Sequence, residues 1–281
     1  INQGFLGAEN ANSINFALMA ALGSPRVTLP ISPGMAFKEQ RRDYDRTKGT
    51  VETIVDACAT QYWNQDNYIR MGHDQPYLSI YASEAKNAEG SLTLPDMLEY
   101  LKEYSQRRYK IEPYVVGVLK APSARAHFEQ NVDAMTGYAF LPNFEPDAEP
   151  IQDYGSLLEQ RIAEWHEITA ASSKPFVPPV VLGWDGSPRG INGPTLEEVT
   201  GVYPFTPIVT GNTPETFERM LREQRNFVAQ HVPPKDSYTV ITAWNEITEG
   251  TALLPKVQPD GSLDSRYLQI VNSIGTTARA A

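Results

Sequence analysis

The sequence contains a single cysteine, Cys58, which excludes an intramolecular disulfide and a metal site built from several cysteines. It also lacks any apolar run long enough to cross a membrane, so we expect no membrane insertion. Lysine and arginine form no cluster, and the net charge is −10 with a pI near 5.0. Nucleic acid and anionic membrane surfaces are therefore not expected partners.

Several catalytic signatures are missing as well. The histidines occur singly, with no His-x-His or His-Glu-x-x-His spacing, so we expect neither a catalytic metal nor another cofactor. No serine lies in a Gly-x-Ser-x-Gly context, which disfavours a serine hydrolase. No glycine-rich phosphate loop follows a predicted strand, which weighs against nucleotide-binding folds.

Predicted strands alternate with predicted helices along the chain, which indicates an α/β protein with a parallel sheet. This alternation leaves open both a doubly wound sheet and a closed (β/α)8 barrel. Ile1–Asn12 is predicted as the end of a helix and Ser24–Asp45 as a long loop. The predicted strands are Ile14–Met19, Tyr77–Tyr81, Tyr114–Leu119, Ala134–Phe140, Val177–Trp184 and Tyr238–Ala243. The predicted helices span about 50–62, 93–108, 124–130, 154–171, 214–231 and 265–273.

The stretch Tyr238–Thr251 is where we place the chemistry. A strand ends in Trp244-Asn245-Glu246, and a second acid, Glu249, follows three residues later. If the chain turns helically there, the two carboxylates share one face. One carboxyl kept protonated and one ionised would suit acid/base work on a sugar. Alternatively, the two acids simply favour the positive end of a helix dipole.

Other polar and aromatic residues also follow strands, and each has a second interpretation. Asn245 could bind a sugar hydroxyl or close the turn, and Trp184 and Trp244 could stack on sugars or pack. Asp185 could bind substrate or form a salt bridge with Arg189. Tyr81 and Tyr138 are further candidates for contacts with sugar hydroxyls.

The run Trp244-Asn-Glu-x-x-Glu-Gly-Thr251 resembles the catalytic segment of glycoside hydrolase family 99, the endo-α-mannosidase/mannanase family. It is also similar to the related WbsX-like proteins of bacterial polysaccharide loci. Three further stretches in order support the resemblance, which covers about 5–268: Asp66–Tyr81, Gly183–Arg189 and Asp260–Leu268.

The resemblance implies a (β/α)8 TIM barrel, with Ile14–Met19 as its third strand. The first two βα units are then absent from this sequence, and we expect residues 1–281 to be a single catalytic domain that is incomplete at its N-terminus. The resemblance also favours an extracellular or periplasmic location.

For function, the resemblance implies a retaining, endo-acting α-glycoside hydrolase acting on a mannose-like polysaccharide or glycan without a metal. Glu246 would act as base on the sugar 2-hydroxyl, giving a 1,2-anhydro-sugar intermediate, and Glu249 would protonate the leaving oxygen. A role in surface-polysaccharide biosynthesis and a non-catalytic carbohydrate-binding barrel are the alternatives. Two departures from the family pattern affect the subsite: Ile247 replaces a tryptophan, and no acid adjoins Leu254-Pro255.

Overall fold

The structure is a computed structural model, and its described residues form two compact units. It describes residues 34–37, 48–65, 68–82, 92–119, 121–145, 147–190, 205–244 and 246–277. The first unit contains the described residues up to Gly137, with Ile168–Val177 and His231–Ser237. The second contains those within Tyr138–Glu167, Pro178–Gln230 and Tyr238–Ala281. The expectation of a single domain remains a prediction.

A parallel sheet forms the centre of the first unit. Its strands are β1 (Gly34–Phe37), β2 (Arg70–Met71), β3 (Gln75–Ala82), β4 (Tyr114–Leu119) and β5 (Ala134–Gly137). They pair in the order β1-β3-β4-β5, all parallel, and β2 lies antiparallel to β3. Strand β4 is buried along almost its whole length, as expected of a nearly continuous apolar strand in a parallel sheet.

The first unit also contains two helices, α1 (Lys48–Ala57) and α2 (Leu94–Tyr109). Helix α1 continues as a π-helical segment over Cys58–Tyr62. Helix α2 begins where the sequence predicts, because Thr93 Oγ1 accepts a hydrogen bond from the Asp96 amide. It ends at Lys110, whose φ of 60° is left-handed.

The second unit is built from short strand pairs and longer helices. Its strands are β6 (Ile151–Asp153), β7 (Pro179–Val181), β8 (Ile208–Thr210), β9 (Val240–Thr242), β10 (Lys256–Val257) and β11 (Leu263–Asp264). Parallel pairs form between β6 and β8 and between β7 and β9, and β10 and β11 form an antiparallel hairpin. The helices are α3 (Tyr154–Ala170) and α4 (Pro214–His231), which lie mostly in this unit, and α5 (Arg266–Thr277).

The structure corrects the predicted loops more than the predicted helices. Strand β1 lies inside Ser24–Asp45, which the sequence predicts as a loop. Strand β8 lies inside the stretch between Arg189 and Asn212, where the composition of Gly, Pro and Thr also predicts a long loop. Both strands are short, and each is held by a partner distant in sequence, so local patterns give little sign of them. Ile1–Asn12 and Ile14–Met19 lie outside the described residues.

Gly117, in the middle of β4, makes room for the buried ring of Phe128. A Cβ added at this glycine would lie 2.5 Å from Phe128 Cδ1 and Cγ, far inside van der Waals contact. The absence of a side chain at position 117 therefore allows the aromatic ring to pack directly on the strand.

We expect Gly117→Ala to lower the free energy of unfolding by about 1–3 kcal/mol, because the new methyl group overpacks a buried site. Urea unfolding followed by circular dichroism measures the loss. Combining it with Phe128→Leu tests the cause, since the double variant should lose less than the sum of the single variants. Strict additivity would show that the ring is not the obstacle.

Cys58 is fully buried, and burial raises the pKa of its thiol from 9.0 to about 12. The folded chain therefore keeps the thiol proton after an unfolded chain has lost it. The contribution of this protonated thiol to the free energy of unfolding is therefore fully present below pH 9. It is lost as the pH rises towards about 12.

We expect Cys58 in the folded chain to react with an aromatic disulfide reagent at pH 8 only as fast as the chain unfolds, since the thiolate is the nucleophile. The same thiol should react within minutes in concentrated urea. Cys58→Ala gives the background absorbance. Rapid stoichiometric labelling of the folded chain would contradict the burial described above.

Candidate active site

A short 3₁₀ turn, Ile247–Glu249, follows the end of β9, with Glu246 directly before it and Glu249 as its last residue. Each glutamate is only 2% exposed, whereas Ile247 between them is 68% exposed. Residues three apart lie over one another in a 3₁₀ helix. The two carboxylates therefore lie on the buried side of the turn, while Ile247 and Thr248 face solvent. The helical turn expected from the sequence is present, in its tighter 3₁₀ form.

Hydrogen bonds close the base of this turn. The Ala243 amide donates to the Thr251 carbonyl at 2.8 Å, and the Leu253 amide donates to the Ala243 carbonyl at 2.9 Å. The Thr251 amide donates to the Glu246 carbonyl at 3.1 Å, and its hydroxyl donates to the Thr242 carbonyl at 2.7 Å. Hydrogen bonds between the residues before and after the turn thus hold the backbone on both sides of the carboxylate pair.

Tyr138, just after β5 in sequence, contacts the second carboxylate directly. Its hydroxyl donates to Glu249 Oε2 at 2.8 Å across 111 residues of sequence. This bond orients the carboxyl group of Glu249. A sugar contact by Tyr138, expected from the sequence, remains a prediction.

Asp185 is joined to the same turn through its backbone. Its amide donates to the Glu249 carbonyl at 2.8 Å. Its carboxylate accepts hydrogen bonds from the Ser187 amide at 3.0 Å and from the Ser187 hydroxyl at 2.6 Å. Ser187 is the first residue of the 3₁₀ helix Ser187–Gly190. Arg189 and a substrate are the partners of Asp185 that the sequence suggests, whereas the structure shows Ser187 in contact with its carboxylate.

The aromatic candidates differ in exposure. Trp244 is 45% exposed, whereas Trp184 is 4% exposed and packs edge-to-face with Phe144, their ring centroids 5.2 Å apart. Sequence reasoning did not name Phe144. An aromatic residue within a polar, proline-containing loop after a strand was the signal that could have identified it.

The structure describes the remaining candidate residues only in part. Asn245 is outside the described residues, and so are the side chains of Tyr81 and Arg189. The backbone of Tyr81 belongs to β3 in the first unit.

Among the described residues, no group of three or more His, Cys, Asp or Glu side chains could hold a metal ion. Over the same part of the chain, no helix combines the length and apolar character that crossing a membrane requires.

Comparison with known proteins finds a matching family and several similar solved structures. Residues 39–271 match the family described as glycosyltransferase WbsX. The GH99 endo-α-mannosidase from Bacteriodes thetaiotaomicron is similar over 99% of this chain and 79% of its own, with a TM-score of 0.60 and 16% identity. A glycoside hydrolase-like protein is similar over 80% of this chain and 59% of its own, with a TM-score of 0.55 and 16% identity.

At such low identity, these structural likenesses show the fold alone. They support the mixed α/β architecture that the sequence predicts and its likeness to part of a (β/α)8 barrel. No curated protein matches the sequence.

Gly250 ends the carboxylate turn in a left-handed conformation, with φ of 64°. A Cβ here would lie 3.0 Å from the Asp185 amide nitrogen and 3.0 Å from its Cβ. Gly261 also has a left-handed φ, of 81°, but a Cβ there would meet nothing within 4 Å.

We expect Gly250→Ala to lower the free energy of unfolding by about 1–2 kcal/mol, because the methyl group adds left-handed strain and crowds Asp185. Gly261→Ala is the matched control, since it adds the strain without the crowding. Urea unfolding of both variants separates the two effects. Equal losses would mean that the contact with Asp185 contributes nothing.

Proposed function

The chain belongs to the family described as glycosyltransferase WbsX, and from this membership and the site we propose a retaining, endo-acting α-glycoside hydrolase. Its substrate is a mannose-like polysaccharide or glycan. The observation that carries the proposal is the burial of Glu246 and Glu249 on one side of an otherwise exposed turn. Burying a carboxylate costs free energy because it removes charge from water, and active sites are where proteins commonly accept that cost.

A buried pair of carboxyl groups suits glycoside hydrolysis, in which one is an acid and the other a base or nucleophile. Such chemistry begins with one carboxyl protonated and the other ionised. The hydroxyl of Tyr138 donates to Oε2 of Glu249 and so orients that carboxyl group.

The proposed reaction has two steps. In the first, Glu246 takes the proton from the sugar 2-hydroxyl, whose oxygen attacks the anomeric carbon. The glycosidic bond breaks, and its oxygen receives the proton of Glu249, leaving a 1,2-anhydro sugar. In the second, Glu249 takes a proton from water as that water attacks the anomeric carbon. The strained carbon–oxygen bond opens, and Glu246 returns its proton to the 2-oxygen.

We also propose that this chemistry takes place in a (β/α)8 barrel formed as a single domain. The likeness to the GH99 enzyme over 99% of the chain supports this proposal. In such barrels the catalytic residues follow the carboxyl ends of strands. The position of Glu246 just after β9 agrees with that arrangement.

Sugar transfer is the second candidate function, and the description of the matching family favours it. The same anhydro intermediate can react with the hydroxyl of an acceptor sugar instead of water. Hydrolysis and transfer then differ only in what occupies the acceptor position during the second step.

We expect Glu246→Gln and Glu249→Gln each to reduce turnover at least about a hundredfold, because each removes a proton-transfer group from the reaction. The assay is mass spectrometry of products from a panel of α-linked glycans, with and without added acceptor oligosaccharides. Free oligosaccharides indicate hydrolysis, and lengthened acceptors indicate transfer.

The amide variants are close in shape to the parent residues, so thermal unfolding should show that both remain folded. Wild-type protein that binds glycans but forms no product would leave a non-catalytic sugar-binding protein. Unchanged turnover in both variants would place the chemistry elsewhere.

A further inference from the structure

Phe144 is an aromatic side chain held at the surface of the second unit by Trp184, the residue before Asp185. About half of it is exposed (49%), and its ring meets the buried indole of Trp184 at an interplanar angle of 89°. Edge-to-face packing of this kind is a favoured aromatic geometry. The phenyl ring is therefore supported from within while much of its surface remains in contact with solvent.

The backbone leading to Phe144 is fixed by two buried side chains. Arg161 of α3 donates from Nε to the Leu141 carbonyl at 2.9 Å and from Nη2 to the Pro142 carbonyl at 3.1 Å. Gln152 of β6 exchanges two hydrogen bonds of 2.8 Å with the Asn143 backbone. The residues just before the ring are thus ordered before any ligand arrives.

A continuous series of contacts connects this ring to the carboxylate pair within the second unit. Phe144 packs on Trp184, and the next residue, Asp185, donates its amide to the Glu249 carbonyl. The aromatic surface and the proposed acid therefore both contact the segment Trp184-Asp185.

Two of the other exposed apolar side chains of this unit have different surroundings. Val257 and Leu263 are more exposed than Phe144, but they are aliphatic and belong to the two-residue strands of the β10–β11 hairpin. A flat ring fixed in advance loses little conformational entropy on binding, which is what a stacking contact with a sugar needs.

We propose that Phe144 is a stacking platform for one pyranose unit of the saccharide, in a subsite beside the carboxylate pair. The carbon–hydrogen face of the sugar ring lies on the exposed phenyl ring, and Trp184 holds that ring in place. This assignment rests on the proposed function, because it takes the ligand to be an oligosaccharide.

The test measures binding without turnover, in a Glu249→Gln background. A panel of α-linked mannose oligosaccharides up to tetrasaccharides is titrated by calorimetry, and the tightest binder is the probe for all variants. Phe144→Leu keeps an apolar side chain and loses the ring, whereas Phe144→Tyr keeps the ring. Val257→Ala is the control for an exposed apolar residue outside the site.

We expect Phe144→Leu to weaken binding about three- to tenfold, as loss of one aromatic contact would. Phe144→Tyr should stay within about twofold of the parent, and Val257→Ala should bind like it. In the catalytic background, Phe144→Leu should raise KM with little change in kcat, because the contact is made equally before and during reaction.

The outcomes separate the platform from the chemistry. Unchanged affinity in Phe144→Leu would overturn the platform and leave the hydrolase proposal intact. Weakened affinity in Phe144→Leu, together with a wild-type protein that forms no product from any glycan, would support the platform and overturn the hydrolase proposal. Absence of binding to every member of the panel would overturn both.

Discussion

The backbone hydrogen bonds between Ala243 and Thr251 and between Ala243 and Leu253 determine how the candidate site is built. Together with the bond from the Thr251 amide to the Glu246 carbonyl, they draw the chain back on itself after β9, so the residues Ile247–Gly250 must turn within a small space. A 3₁₀ turn is short enough for that space, and it brings positions 246 and 249 to the same side. The burial of both acids follows from this closure.

Two other segments of the second unit then become part of the site through Glu249. Tyr138 reaches its carboxylate through a hydroxyl, and Asp185 reaches its carbonyl through an amide. One glutamate therefore connects regions that lie 111 and 64 residues away in sequence. Such convergence on a single residue gives an acid group a fixed orientation, which catalysis by proton transfer requires.

The features that can be predicted from the sequence are those determined by residues close together along the chain. Helix α2 was predicted from Thr93 and a proline in the first turn, and the structure confirms its start. The spacing of Glu246 and Glu249 likewise predicted a shared face. Strands β1, β6 and β8 depend on partners far along the chain, and so does the position of Phe144 on Trp184. No local pattern contains that information, which is why sequence reasoning missed them.

The carboxylate turn also limits how this stretch of the chain can change during evolution. With three residues per turn, one inserted or deleted residue between the acids rotates Glu249 by about 120° around the turn axis. Ile247 and Thr248 face solvent and can be exchanged without moving either acid. Relatives of this chain can therefore vary the identity of these two residues, while the length of the segment has to stay constant.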